Sequence, residues 1–139
     1  MDDNVEKVKE FIRGRDRLIG LFGMEILRLK EGESLVRMRV TDEHLMAAGL
    51  CHGGVIFSLA DVAFALACNS RGTLAVALDV SISFLKGVLP GETLTARAIE
   101  RSLGRSTGCY EISVTDGRDR LVALLKATAF RKNTPLWHP

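Results

Sequence analysis

CHGGVIFSLADVAFALACNSR, Cys51 to Arg71, is the stretch whose reading decides the fold. It opens on a His-Gly-Gly turn and then runs apolar almost all the way round. Leu59, Val62 and Leu66 fall on one helical face, with Ile56, Ala63 and Ala67 beside them. A helix that is apolar on every face is a buried helix, so the pattern predicts a central helix over about 53–69. Asp61 sits in its middle, between Ala60 and Val62. Asp is a poor helix-interior residue and seldom buries without a partner. A carboxylate there is neutralised, paired with an arginine as a structural group, or used in chemistry. The Gly53-Gly54 pair at the helix start leaves backbone N–H groups uncovered by side chains, where the helix dipole favours a partly negative oxygen. An anion-accepting helix end and a buried carboxylate in one element suggest acyl transfer.

Outward from this helix, residues 3–18 carry Val5, Val8, Phe11, Ile12 and Leu18 near helical spacing, with Asn4 placed to cap. They predict an amphipathic N-terminal helix ended by the Gly20–Gly23 region. Met24 to Leu29 and Glu33 to Val40 predict a hairpin around Lys30-Glu31-Gly32. Thr41 to Cys51 is a loop into the helix, and His44 in it is expected to be solvated. After the helix, strands are predicted over Leu74–Phe84, Thr93–Leu103, Ser106–Thr115 and Arg120–Phe130. They are separated by turn signals at Val88–Gly91, Gly104-Arg105 and Asp116-Gly117. The sheet therefore has six strands. The tail from Lys132 to Pro139 is expected to be loosely ordered.

A chain of 139 residues makes one domain with a real core. Its net charge of +2 gives no case for a nucleic-acid partner or an anionic membrane. No apolar run reaches the roughly 18 residues of a membrane span. Cys51, Cys68 and Cys109 are an odd number without metal-ligand spacing and read as free thiols. The charged start, MDDNVEKVKE, has no signal-peptide core. The expected location is the cytoplasm.

The block HGG-x6-D-x7-N from His52 to Asn69 continues into the apolar strand Ala75 to Leu85 and then Pro90-Gly91-Glu92. It resembles the hotdog-fold acyl-CoA thioesterases, and most closely the PaaI-like branch associated with phenylacetic acid degradation. The resemblance spans about Gly20 to Arg131, leaving 132–139 as a tail. It implies an α+β hotdog fold, a six-stranded antiparallel sheet wrapped around the central helix with an N-terminal helix added. It also implies dimers paired into tetramers and thioester hydrolysis without a metal, coenzyme A entering only as part of the substrate. By that likeness Asp61 is the general base or nucleophile and the Gly53 N–H polarises the carbonyl. His52 and Gly54 shape the turn that meets the substrate. The segment Gly104-Arg105-Ser106-Thr107 resembles the family's turn near the pantetheine arm, which makes Arg105, Ser106 and Thr107 candidate substrate contacts.

Two positions depart from the family. Met46 stands where many relatives carry an Asn that helps polarise the thioester, and a thioether cannot donate a hydrogen bond. Ala77 stands where some relatives carry a water-placing Ser. Three readings therefore stay open: an acyl-CoA thioesterase, a weakly active or non-catalytic acyl-CoA binder, and a dehydratase of the same broad fold. Helix geometry adds one constraint. Gly53 and Asp61 are eight residues apart, which at about 1.5 Å per residue is roughly 12 Å along the axis. One helix cannot bring both to one thioester carbon, so the active site is expected at a twofold dimer interface.

Overall fold

The computed structural model describes residues 3–138. In chain order they form α1 (Asp3–Arg15), α2 (Arg17–Leu21), β1 (Glu25–Lys30), β2 (Glu33–Arg39), the 3-10 turn Asp42–His44, α3 (Gly53–Cys68), β3 (Thr73–Phe84), β4 (Thr93–Leu103), β5 (Thr107–Thr115) and β6 (Leu121–Pro135). The six strands make one sheet in the order β1-β2-β4-β5-β6-β3, antiparallel throughout.

The sheet curls around α3. Its inner face carries Val36 and Met38 of β2, Leu94, Ala96 and Ala98 of β4, Ile112 and Val114 of β5, and Ala127 and Ala129 of β6, all buried. The alternation along each strand puts these residues on one side and mostly polar ones on the other, with Leu35, Leu124 and Phe130 as apolar exceptions. Small buried residues on both partners, Ala96 and Ala98 of β4 and Ala63 and Ala67 of α3, leave room for the helix axis to come close to the strands. Leu59, Val62, Phe64 and Leu66 fill the remaining space, and each such side chain contributes roughly 1.5–3 kcal/mol by leaving water. Both helix ends are tied down. His52 caps the start, its Nδ1 accepting from the Gly54 N–H at 3.0 Å. Asn69 closes the end: its amide donates to the carbonyls of Ala65 and Ala75, and its Oδ1 accepts from the Ala75 N–H at 2.8 Å. The Asn of the sequence block therefore joins α3 to β3.

Several expectations are corrected. The N-terminal helix is two helices, because Asp16 leaves helical geometry and its side chain caps α2 by accepting from the Leu18 N–H. Asn4 lies inside α1 and its amide donates to the Arg71 carbonyl. His44 is buried, not solvated: its Nδ1 accepts from the Thr41 N–H and its ring packs edge-on against Phe22. The tail is ordered as far as it is described. β6 runs to Pro135, the Leu136 N–H donates to the Gly72 carbonyl, and Trp137 packs on Phe11 and under the Lys7 ammonium.

Two features of the chain's outside bear on the site. The helix is not covered all round. Gly54, Phe57, Ser58, Asp61 and Ala65 form a narrow stripe left partly or fully exposed. The two sheet edges also differ. β1 is short, charged at Glu25, Arg28 and Lys30, and its ladder is broken between Ile26 and Arg28, a guarded edge. β3 has twelve residues, of which only Ala75 is buried, and it exposes Val76, Leu78 and Phe84.

Candidate active site

The His-Gly-Gly turn carries the first half of the site. The Gly54 N–H is occupied by His52 and those of Val55 and Ile56 by the His52 carbonyl. This corrects the expectation that both glycine N–H groups are free. The Gly53 N–H alone has no acceptor among the described residues. Gly53 lines a cavity of about 380 Å³ together with Met46, Leu50, Cys51, Ile56, Phe84, Leu85, Lys86 and Gly87. The Phe84 ring lies so close that a Cβ built on Gly53 would sit 3.3 Å from it. A free N–H at a helix start, in an apolar cavity, can hold a developing oxyanion.

Cys51 borders the same cavity, but burial pushes its thiol up to about 11. It is a neutral thiol at ordinary pH and not a nucleophile. Met46 lines the cavity and is 39 % exposed. Its sulfur accepts from the Ala48 N–H at 3.2 Å, and its backbone closes the turn with Leu50 and Gly49.

Asp61 is the second candidate, two turns along α3 on the uncovered stripe. It makes no hydrogen bond or ion pair among the described residues, which rules out the reading of a structural carboxylate held by an arginine of its own chain. Burial, and then the nearby Asp16 carboxylate, raise its pKa. A carboxylate that is half-buried, unpaired and raised in pKa is suited to proton transfer.

The structure therefore brings Met46 and Gly53 together within one chain and leaves Asp61 outside their cavity. Ala77 is on exposed β3, paired with Ala129. Arg105, Ser106 and Thr107 are exposed around the β4–β5 turn, beside Arg131, whose guanidinium donates to the Gly104 carbonyl. Arg105 itself makes no hydrogen bond or ion pair among the described residues. Arg131 pairs with Ala75 at the start of β3, whereas Gly53 meets Phe84 at its end. Nine residues of strand at about 3.3 Å each put roughly 30 Å between them.

Sequence reasoning missed Leu50, Ile56, Phe84 and Leu85 as cavity walls. The only local signal was Phe84-Leu85, an apolar pair that ends a strand exposed, at 52 % and 56 %. A larger cavity of about 530 Å³ lies beyond Lys86 and Gly87. Its central carboxylate, Asp116, is already satisfied by the Arg118 and Arg120 N–H groups, the Arg120 guanidinium and Lys86. It reads as the buckle of the β5–β6 turn. Among the described residues no three His, Cys, Asp or Glu side chains gather where they could hold a metal ion.

An antiparallel sheet wrapped around one buried helix, with a free N–H at its start, defines a hotdog protein. The chain matches the thioesterase superfamily over residues 48–123. The acyl-coenzyme A thioesterase PaaI of Escherichia coli is 44% identical over 78% of this chain and 78% of its own. A solved structure of the E. coli PaaI protein, from the phenylacetic acid degradation operon, matches with a TM-score of 0.93 at 37% identity, over 96% of each chain. A Streptococcus mutans protein solved bound to acetyl CoA matches with a TM-score of 0.78 at 31% identity, over 81% of this chain and 90% of that one. The chain belongs to the thioesterase superfamily.

Proposed function

We propose that the protein is an acyl-CoA thioesterase, releasing a free acid and coenzyme A, and that its active site forms between two copies of the chain. The observation that carries this reading is the Gly53 N–H, without an acceptor and open to an apolar cavity. The carbonyl oxygen lies against it. Asp61 takes a proton from water as the water oxygen bonds to the carbonyl carbon. The negative charge that develops on the carbonyl oxygen is held by the Gly53 N–H. The tetrahedral species collapses, the carbon–sulfur bond breaks, and the departing thiolate takes up the proton. In the variant route the Asp61 carboxylate attacks the carbonyl carbon and the carbon–sulfur bond breaks; water then opens the anhydride to the free acid and the Asp61 carboxylate, and the proton released goes to the departed thiolate.

The shared site calls for a twofold pairing of β3 with the β3 of a second copy, a reading supported by the exposed β3 edge and the uncovered stripe of α3. Such a pairing covers the exposed edge and the helix stripe together. It also lays the Thr73 end of one strand beside the Phe84 end of the other. The turn holding Arg105, Ser106 and Thr107 is thereby carried from roughly 30 Å away to the neighbourhood of the partner's Gly53 cavity, where a pantetheine arm would pass. Two such dimers pair into a tetramer. The three free thiols fit the reducing cytoplasm, and no helix among the described residues is long and apolar enough to cross a membrane.

The second reading, a binder without turnover, is favoured by Met46 in place of a hydrogen-bond donor. Thiol release from a panel of aryl- and fatty acyl-CoA thioesters separates the two. The enzyme releases thiol and Asp61→Asn does not, whereas a binder retains intact thioester in both. After a single turnover in ¹⁸O-labelled water, label in the Asp61 carboxyl identifies direct attack, with water opening the anhydride at the Asp61 carbon.

A further inference from the structure

The cavity beside Gly53 is walled mainly by the side chains of Met46, Leu50, Ile56, Phe84 and Leu85. Lys86 borders it too, but its ammonium is held by Asp116 and the Gly87 carbonyl. With the carbonyl oxygen at Gly53 and the pantetheine arm leaving along the turn that holds the partner's Arg105, the first carbons of the acyl group meet that apolar wall.

On that wall Met46 holds a particular place. It belongs to a closed turn: its N–H donates to the Leu50 carbonyl at 2.8 Å, and its own carbonyl accepts from the Gly49 N–H at 2.9 Å. Gly49 completes the turn with φ +86°, a left-handed conformation that suits glycine. The sulfur is already engaged by the Ala48 N–H. A thioether has no proton to donate and is a weak acceptor. A hydroxyl on the acyl carbons next to Met46 would therefore lose its water and find no partner.

We propose that Met46 is the specificity-determining residue of the acyl pocket, selecting acyl groups that carry no polar substituent on the carbons nearest the thioester. This rests on the thioesterase reading. The expected discrimination is on the order of 10- to 100-fold, the range open to an apolar pocket rejecting an added hydroxyl.

The test compares kcat/KM for hexanoyl-CoA and 3-hydroxyhexanoyl-CoA in the wild type and in three variants. Met46→Leu keeps the wall apolar and removes the sulfur acceptor. Met46→Asn and Met46→Gln each add a donor and an acceptor, and Asn is also at home in a turn. The wild type and Met46→Leu are expected to prefer the hexanoyl ester at least tenfold. Met46→Asn or Met46→Gln is expected to narrow that ratio at least fivefold, whatever happens to the absolute rate. The proposal is overturned if the wild type takes both esters equally, or if neither polar variant moves the ratio. Failure of the thioesterase reading looks different: no ester is hydrolysed by the wild type in an Asp61-dependent way.

Discussion

If Gly53 and Asp61 serve one thioester from two different chains, two inactive variants should repair each other. The first variant is Asp61→Asn, nearly the same shape but unable to accept a proton at neutral pH. The second is Gly53→Val. The Cβ at position 53 would lie 3.3 Å from Cε1 and Cζ of Phe84, tight enough to need a small shift, and the two further methyl groups of Val would project into the space meant for the carbonyl. Blocking access to the Gly53 N–H should cost on the order of 100- to 1000-fold in rate. Each variant alone is therefore expected to be inactive. In a mixed dimer one site collects both lesions and the other collects neither. After equal, random subunit exchange half of the dimers are mixed, and each has one sound site of two, so activity should return to about a quarter of wild type. The assay is thiol release after mixing, with exchange followed independently by differently tagged chains. Confirmed exchange with no recovered activity would refute the shared site. So would appreciable activity in Gly53→Val alone, because the roughly 12 Å between the two residues leaves the argument no other way to deliver the donor.

Three further outcomes follow from particular contacts. Glu100 holds Arg71 in a two-pronged ion pair, at 2.6 and 3.2 Å, and accepts from the Tyr110 hydroxyl at 3.0 Å. Burial, then that contact, push the Tyr110 pKa up. Glu100→Gln should cost about 2 kcal/mol by denaturant unfolding, and an unchanged midpoint would show that the network adds nothing. His52→Ala removes the cap on the Gly54 N–H and should cost about 1 kcal/mol of stability while lowering kcat less than tenfold. A general base at His52 would instead require a loss of about 100- to 10,000-fold. The third outcome concerns Asp61 and pH. Burial first, and Asp16 second, hold its pKa above the ordinary value, so the folded chain binds that proton more readily than the unfolded chain. Ionised Asp61 then opposes folding at neutral pH, and the penalty fades as pH falls through its raised pKa. Asp61→Asn should melt above wild type at pH 7, with the gap closing in acid. A gap that is equal at all pH values would contradict the raised pKa.

The elements were legible in the sequence where the signal is local. The run from Val55 to Cys68 can only be a helix that hides most of its surface, and the alternation from Ser34 to Val40 can only be a half-covered strand. Gly32, Gly104 and Asp116-Gly117 mark turns through backbone freedom or side-chain capping that neighbours cannot change. Asp61 was legible for the same reason, as a charge in a segment that otherwise excludes water. The tertiary structure decided what depends on residues distant in the chain. His44 reads as a surface residue until Phe22 is seen to close over it. Position 16 reads as mid-helix until the Asp side chain turns back on the Leu18 N–H. The tail reads as loose until Leu136 and Trp137 find Gly72 and Phe11. The order β6-β3 at the end of the sheet has the largest consequence. An apolar strand such as Thr73 to Phe84 reads alike whether its own chain or a second copy covers it, because hydrophobic pattern records burial and not the identity of what does the burying. The placement of β3 at an open edge, with Phe84 over Gly53 at one end and Asp61 uncovered two turns along the helix, is what supports the proposal of a site shared between two chains.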